Sequence, residues 1–157
     1  MVSAAEVLDA ARARGVTIAT AESCTGGLVT AALTEVPGSS AVVECGFVTY
    51  SNAAKRALLG VAGATLDAHG AVSESVAREM ARGALARSGA GLAVAITGIA
   101  GPGGSEHKPE GRVCFALAAS DGNTTADTVD FGPRGRAQVR EAARDHALAL
   151  MLRALLT

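Results

Sequence analysis

Hydrophobic and polar positions along the chain alternate between helical and extended spacing, and glycines or prolines separate the segments. Apolar residues recur at helical spacing over residues 4–14, 28–36, 52–59, 65–69, 73–88 and 137–156, which predicts helices there. Apolar or β-branched runs at residues 17–20, 42–50 and 92–97 predict buried strands. The turn residues at 121–123 predict a hairpin between strands at 112–118 and 124–131.

This order of elements predicts one α/β domain over residues 1–157, because no linker or internal repeat divides the chain. The expected architecture is a three-layer α/β/α sandwich around a mixed, mostly parallel sheet of about five strands. Helical crossovers make the first three strands parallel, and the hairpin adds an antiparallel one. The order of the strands within the sheet stays open.

Polar side chains follow the predicted parallel strands at the points where each strand ends. Ser23 follows the first strand, Tyr50 ends the second, and Thr97 with a glycine-rich loop at 98–105 follows the third. Because parallel strands present their carboxyl ends at one edge of a sheet, these clusters are expected to converge there. The small residues at 20–27 would let main-chain N–H groups approach a ligand, although a helix cap by Ser23 or Thr25 explains them equally well.

Composition narrows the function classes. The chain has 157 residues, of which 49% are hydrophobic and 18% charged, as expected of a globular domain. A net charge of −1 and four aromatic residues argue against a nucleic-acid partner. Three scattered cysteines indicate neither a disulfide framework nor a metal site. Residues 1–6 lack the pattern of a signal peptide and no apolar run reaches membrane length, so a cytoplasmic protein without a membrane partner is expected.

Ser23 and Cys24 are adjacent candidate nucleophiles, and either needs a nearby base. The three histidines do not follow predicted strands, which leaves lysine as the candidate base. Lys55 lies about one helical turn after Tyr50, at the start of a helix, where the helix dipole disfavours a cation. Tyr50 would relay a proton or orient the serine. A solvated surface lysine is nevertheless the commoner outcome for such a position, so the residues alone leave the role of Lys55 open.

The loop at 97–105 carries four glycines whose spacing matches neither the dinucleotide-binding nor the P-loop pattern. It fits a cradle of N–H groups for one phosphate or an oxyanion, or a plain connection. Arg134, Arg136 and Arg140 surround the start of the last helix, where they would grip a phosphate or form a solvated helix end. Glu22 is a candidate orienting carboxylate or an acid held by the helix start.

The chain resembles the CinA C-terminal domain family, the nicotinamide-nucleotide amidohydrolases. The resemblance is carried in family order by residues 21–27, 46–52 with Lys55, 69–73, 97–104, 108–111, and Arg136 with 139–140. It implies hydrolysis of the carboxamide of nicotinamide mononucleotide to nicotinic acid mononucleotide and ammonia. Ser23 would be the nucleophile, Lys55 the base and Tyr50 its assistant, and no cofactor or metal is implied. The residues expected to bind the nucleotide are Thr25, Gly26, Thr97, Gly98, Gly101, Gly103, Arg136 and Arg140.

Two other functions remain open at this point: a non-catalytic nucleotide-binding or competence-related regulatory module, and an amidase for another small amide. The sequence departs from the family pattern at Glu110, where Lys-Pro-Glu-Gly replaces the usual Lys-Pro-Val-Gly. The last helix is apolar on more of its surface than one core contact needs, which favours a homo-oligomer. The residues behind that expectation are Ala147, Leu148, Leu150, Met151, Leu152, Leu155 and Leu156.

Overall fold

The computed structural model describes residues 1–105 and 107–157, and in this part of the chain six α-helices surround a five-stranded sheet. The strands are β1 (Ile18–Glu22), β2 (Val43–Val48), β3 (Leu92–Gly98), β4 (Arg112–Ala119) and β5 (Thr124–Asp130). The helices are α1 (Ala4–Arg14), α2 (Leu28–Thr34), α3 (Asn52–Leu59), α4 (Gly63–His69), α5 (Glu74–Ser88) and α6 (Arg136–Leu156).

The sheet has the strand order β2-β1-β3-β4-β5. β1 pairs in parallel with both β2 and β3, whereas β4 runs antiparallel to β3 and β5. Within the described residues four strands therefore point the same way and β4 points the opposite way. The predicted mixed α/β sheet is confirmed, and β1 lies second in the sheet, so its end has a parallel neighbour on each side.

Alternating side chains of the central strands divide the core into two halves. Val94 and Ile96 face a half with large aliphatic residues from α1, α2 and α6. Ala93 and Ala95 face a half built mostly from alanines and from α5. Small residues let α5 pack closely: a Cβ at Gly83 would lie 1.9 Å from the carbonyl oxygen of Leu59. Helices on both faces complete the predicted three layers.

The boundaries of three elements differ from the prediction near the expected site. The first strand was expected over residues 17–20, but β1 spans Ile18–Glu22. The second strand was expected to extend to residue 50, but β2 ends at Val48. The N–H of Thr49 still donates to the carbonyl of Glu22, after which the chain leaves the sheet and α3 begins at Asn52. α2 ends at Thr34 and not at residue 36. Thr49 and Tyr50 therefore belong to the loop that follows β2, and this loop lies next to the end of β1.

The apolar residues of α6 are mostly covered within the chain. Ala147, Leu148, Met151 and Leu155 are buried, and α6 packs along α1. Leu156 remains 70% exposed. This packing accounts for most of the apolar surface that favoured an oligomer, so the homo-oligomer stays a prediction. Among the helices described, none combines the length and hydropathy needed to cross a membrane.

Candidate active site

Residues from three strand ends meet at one cavity, as expected from the parallel strands. Its volume is about 290 Å³, close to the lower end of small-molecule sites at about 300 Å³. Residues along its wall include Ser23, Tyr50, Asn52, Lys55, Ala71, Val72, Thr97, Arg136 and the loop 98–105. The convergence of Ser23, Tyr50 and Thr97 is therefore confirmed by the fold.

Ser23 and Lys55 are in direct contact at the base of this cavity. The Nζ atom of Lys55 lies 2.8 Å from the Oγ atom of Ser23. Nζ also donates to the carbonyls of Thr49 at 2.9 Å and Tyr50 at 3.2 Å. Lys55 is only 1% exposed and Ser23 7%, so the pair is shielded from bulk water. The structure thus rules out the solvated surface lysine that the sequence left open.

The loop between β2 and α3 explains why this lysine is buried. Ser51 caps α3 by accepting a hydrogen bond from the N–H of Ala54. Lys55 follows in the first full turn of that helix, and its Nζ atom reaches the carbonyls of Thr49 and Tyr50 and the Oγ atom of Ser23. The two carbonyls that hold Nζ both belong to this loop, so the end of β2 positions the ammonium against Ser23.

Tyr50 contributes to the site with two different groups. Its carbonyl oxygen accepts from Lys55 and lies 3.5 Å from the Oγ atom of Ser23. Its side chain is 61% exposed and turns the other way, where its hydroxyl accepts a 2.6 Å hydrogen bond from Nη2 of Arg136. The geometry therefore connects the Tyr50 main chain with the Ser23–Lys55 pair and its phenol with the rim of the cavity.

Glu22 holds the turn that carries Ser23. Its carboxylate is fully buried and accepts hydrogen bonds from the hydroxyls of Thr25 and Thr30 and from the N–H groups of Gly27, Val29 and Thr30. α2 begins without a side-chain cap at Gly27, so Glu22 satisfies its first N–H groups instead. Of the two roles expected for Glu22, the structure shows the acid held by the helix start. Ser23 does not cap the helix.

Thr25, Gly26 and Arg140 lie behind the Ser23 turn and outside the cavity lining described above. The Thr25 hydroxyl donates to Glu22 at 2.6 Å. Arg140 donates from Nε to the carbonyl of Cys24 and from Nη2 to that of Thr25. Gly26 has a φ of +59°, and a Cβ there would lie 3.1 Å from Nη2 of Arg140. These residues fix the turn from the α6 side, and their predicted contact with substrate stays a prediction.

The glycine loop and Arg136 form a further part of the cavity wall. Nη1 of Arg136 donates to the carbonyl of Gly101 at 2.6 Å. Gly98 lies against β4, where a Cβ would approach Val113 to 2.7 Å, and a Cβ at Gly101 would lie 2.6 Å from the carboxylate of Glu110. Several glycines therefore serve close packing of the loop as well as access to the cavity. Among the predicted binding residues, those that line the cavity are Thr97, Gly98, Gly101, Gly103 and Arg136.

Cys24 is poorly suited to be the nucleophile, although it lies next to Ser23. Burial raises the pKa of its thiol to about 12, and the neighbouring Glu22 carboxylate acts in the same direction. The thiolate is the reactive form of cysteine, so Cys24 is inert at neutral pH. Cys24 contributes to the cavity wall, but it is only 5% exposed and packs within the apolar core.

Histidine and metal chemistry find no support in the described residues. His69 and His107 are exposed, and Nε2 of His146 lies 3.1 Å from Asp127 on β5, away from the cavity. No group of three or more histidine, cysteine, aspartate or glutamate side chains in residues 1–105 and 107–157 is arranged to hold a metal ion. The three cysteines are free thiols.

The sequence does not indicate that a second lysine, Lys108, lies beside this cavity. Lys108 donates from Nζ to the carbonyls of His69 and Val72, and Val72 is part of the cavity wall. The segments 69–73 and 108–111 were both visible as motifs, but no spacing rule places one against the other. Asn52, at the first position of α3, also lines the cavity, whereas the sequence indicates only a helix start there.

Comparison with known proteins identifies the family of the chain. It is 56% identical over 93% of its length to a CinA-like protein of Mycolicibacterium gilvum, of which it covers 35%. A solved competence damage-inducible protein A from Klebsiella pneumoniae shares 42% identity at a TM-score of 0.94, covering 98% of this chain and 94% of that one. A competence/damage inducible protein from Agrobacterium tumefaciens shares 50% identity at a TM-score of 0.88, with 97% and 96% covered.

The chain spans about a third of the length of the curated relatives it matches, whereas it covers nearly all of the solved structures. The family description that matches it is the CinA C-terminal domain, over residues 2–155. On this match and these identities, the chain belongs to the CinA C-terminal domain family.

Proposed function

We propose that the chain is a serine amidohydrolase that converts nicotinamide mononucleotide to nicotinic acid mononucleotide and ammonia. The observation that carries this proposal is the 2.8 Å contact between Lys55 Nζ and Ser23 Oγ at the base of the cavity. A hydroxyl becomes an effective nucleophile when a base lies within hydrogen-bonding reach, and lysine serves as that base where burial disfavours its charge. The names of the relatives state no reaction, so the proposal depends on this site and on the family resemblance.

The proposed reaction uses Lys55 as a neutral amine, which has two N–H groups and one lone pair. The carbonyls of Thr49 and Tyr50 lie within hydrogen-bonding distance of Nζ and accept its N–H groups in the neutral and the charged form alike. The lone pair then faces the Ser23 hydroxyl at 2.8 Å, ready to receive its proton. After transfer, the resulting ammonium remains hydrogen-bonded to the same two carbonyls. The pair therefore exchanges a proton without rearranging its main-chain partners.

The proposed reaction has two stages. Lys55 takes the proton of Ser23 as Oγ attacks the carboxamide carbon, and the tetrahedral intermediate collapses when Lys55 returns that proton to the leaving ammonia. Water then attacks the acyl-enzyme, Lys55 accepts one of its protons, and the proton passes back to Ser23 as nicotinic acid mononucleotide leaves. The sum is amide plus water giving carboxylic acid plus ammonia.

Main-chain donors at the cavity are available for the oxyanion. The N–H of Ser23 donates to the carbonyl of Ile96 and that of Gly103 donates to Glu110, so neither faces a ligand. In the described part of the chain, the N–H of Cys24 donates to no other residue, and the same holds for that of Gly101. Cys24 directly follows the nucleophile, where its N–H is suited to stabilise negative charge on the substrate oxygen.

Arg136 is the proposed partner of the nucleotide phosphate. Its guanidinium carries five N–H groups, and the two contacts to Gly101 and Tyr50 leave further donors free to act at the rim of the cavity. In the proposed binding mode the phosphate contacts Arg136, and the carboxamide at the other end of the ligand reaches Ser23.

Ammonia release from nicotinamide mononucleotide and from free nicotinamide tests the proposed substrate. We expect turnover of the mononucleotide and a kcat/KM for nicotinamide that is lower by at least about 100-fold, since the smaller amide lacks the phosphate that Arg136 would bind. Equal turnover of both would indicate an amidase for another small amide. Nucleotide binding without ammonia release would indicate a non-catalytic module.

The Lys55→Arg variant tests the proposed base. Arginine keeps the positive charge but cannot accept a proton at neutral pH, so kcat should fall by about 100- to 10,000-fold. Arg56→Lys on the same helix, outside the cavity lining, is the matched control and should keep the activity of the unmodified protein. Retained activity in Lys55→Arg would remove Lys55 from the mechanism.

A further inference from the structure

The chain contains two lysines and twelve arginines, and both lysines contact the main chain beside the cavity. Lys55 belongs to the proposed catalytic pair. Lys108 has no role in that chemistry, yet it lies in the motif at 108–111 and contacts the motif at 69–73, which the proposed reaction also leaves unused. An ammonium is more compact than a guanidinium and directs its donors in three directions.

Lys108 connects two segments that are far apart in sequence. Its Nζ atom donates to the carbonyl of His69 at 2.6 Å and also to that of Val72. Its main chain forms a two-way bridge with Ser105, at the end of the glycine loop. The side chain thus joins the loop to the turn between α4 and α5, whose residue Val72 lines the cavity.

Two neighbouring hydrogen bonds also fix the turn at 69–73 and the glycine loop. The Thr97 hydroxyl donates to the carbonyl of Ala71 at 2.9 Å, so the turn at 69–73 is held from β3 as well as from Lys108. Glu110 accepts from the N–H of Gly103, which fixes the loop from outside the cavity. The contacts of Lys108 join Ser105, at the far end of the glycine loop, to the turn at 69–73.

We propose that Lys108 is a positioning residue that sets the width of the cavity by tying the glycine loop to the turn at 69–73. It acts through the two main-chain segments and does not touch the reacting atoms. Without this link the two walls separate, and the nucleotide must draw them together when it binds. Ligand binding therefore weakens more than the chemical step slows, because the contact between Ser23 and Lys55 is formed by other elements.

Hydrogen exchange on the Lys108→Met variant tests the link without depending on activity. We expect main-chain amides of residues 69–73 and 98–105 to exchange about tenfold faster than in the unmodified protein, while β1 and β3 stay equally protected. Arg112→Met is the matched control, because it removes a cation four residues away whose partner is Asp130 on β5. That control should leave both segments unchanged.

Steady-state kinetics with nicotinamide mononucleotide provide a second test of the role of Lys108, and this test rests on the proposed function. In Lys108→Met the KM for nicotinamide mononucleotide should rise about tenfold, the equivalent of one charge-assisted hydrogen bond, while kcat changes less than about threefold. Lys108→Cys treated with 2-bromoethylamine regains a side chain of nearly the same length that ends in an ammonium, and should recover the KM. The unmodified protein treated in parallel controls for reaction at Cys45.

The outcomes separate the two proposals. Unchanged exchange at 69–73 and 98–105 in Lys108→Met would overturn the positioning role, whatever the enzyme does. Faster exchange throughout the protein, or equal losses in kcat and kcat/KM, would show that Lys108 serves general stability only and would also overturn it. If the unmodified protein releases no ammonia, the proposed function fails, while the exchange result still decides the role of Lys108.

Discussion

Replacing Glu22 by glutamine removes the charge that organises the turn carrying Ser23. The buried carboxylate accepts three hydrogen bonds at Oε1, from Thr25, Gly27 and Val29. It accepts two at Oε2, both from Thr30. Glutamine keeps the size of the side chain but replaces one accepting oxygen with a donating NH₂ group. The variant therefore tests hydrogen bonding and charge with little change in packing.

The cost follows from these five contacts. In the better orientation the amide oxygen keeps the three bonds of Oε1, and the NH₂ group faces the N–H of Thr30. One part-buried N–H then lacks an acceptor, which costs about 1–3 kcal/mol. The remaining bonds lose the contribution of the ionised acceptor, which adds about 1 kcal/mol. We expect the free energy of unfolding to fall by about 3 kcal/mol, equivalent to a decrease of about 6–12 °C in Tm for a domain of this size.

Urea unfolding of Glu22→Gln beside the unmodified protein measures this loss, with unchanged m-values required for the comparison. Glu35→Gln is the matched control, because Glu35 is exposed just after the end of α2 and should alter stability by less than about 0.5 kcal/mol. Ammonia release should also fall, since the turn that orients Ser23 is less well defined. A Glu22→Gln protein as stable as the control would contradict the assignment of Glu22 as the group that holds this turn.

Two further predictions concern residues beside the catalytic pair. Tyr50→Phe keeps the carbonyl that accepts from Lys55 and removes the hydroxyl that accepts from Arg136. Steady-state kinetics should therefore show a rise of a few-fold in KM, with kcat changed by less than about threefold. A loss of about 100-fold in kcat would support a proton relay through the Tyr50 hydroxyl instead. The pKa of the Cys24 thiol is about 12 in the native protein against an ordinary value of 9.0, so the unfolded chain releases this proton first as the pH rises. The stabilisation is present below pH 9 and is lost between pH 9 and 12. Urea unfolding across this range should show a steeper loss in the unmodified protein than in Cys24→Ala, and equal slopes would refute the assignment.

The hydrophobic pattern predicted the fold because most elements of this chain carry a strong local signal. Helices α1 and α5 begin with serine caps that are visible in the sequence and end at glycines with positive φ. The buried run of β3 and the hairpin of β4 and β5 are equally local. The order of the strands carries no such local signal, because it depends on which apolar faces pack together across the sheet. The position of β1 between β2 and β3 therefore emerges only from the tertiary structure.

The site was predictable as far as the ends of parallel strands bring residues together. Ser23, Tyr50 and Thr97 are placed by that rule, and the sequence marked Lys55 as a candidate without showing that it is buried. Burial of Lys55 depends on the loop carbonyls of Thr49 and Tyr50, which no side-chain pattern encodes.

Contacts between distant segments account for most of what the sequence could not show. Glu22 takes the N–H groups of α2 that a cap at Ser23 or Thr25 was expected to satisfy. Lys108 reaches a turn 36 residues away in the chain. Such pairs form only when the fold is complete, and neither spacing nor composition distinguishes them from solvated surface charges.

Ammonia release from nicotinamide mononucleotide by the unmodified protein, Ser23→Ala and Cys24→Ala, measured side by side, tests the central claim most directly. Ser23→Ala should lose at least about 1,000-fold in kcat while its affinity for the nucleotide is largely retained, because the hydroxyl is the proposed nucleophile. Cys24→Ala should keep turnover, since a thiol with a pKa of about 12 takes no part in the reaction. An active Ser23→Ala together with an inactive Cys24→Ala would contradict the account.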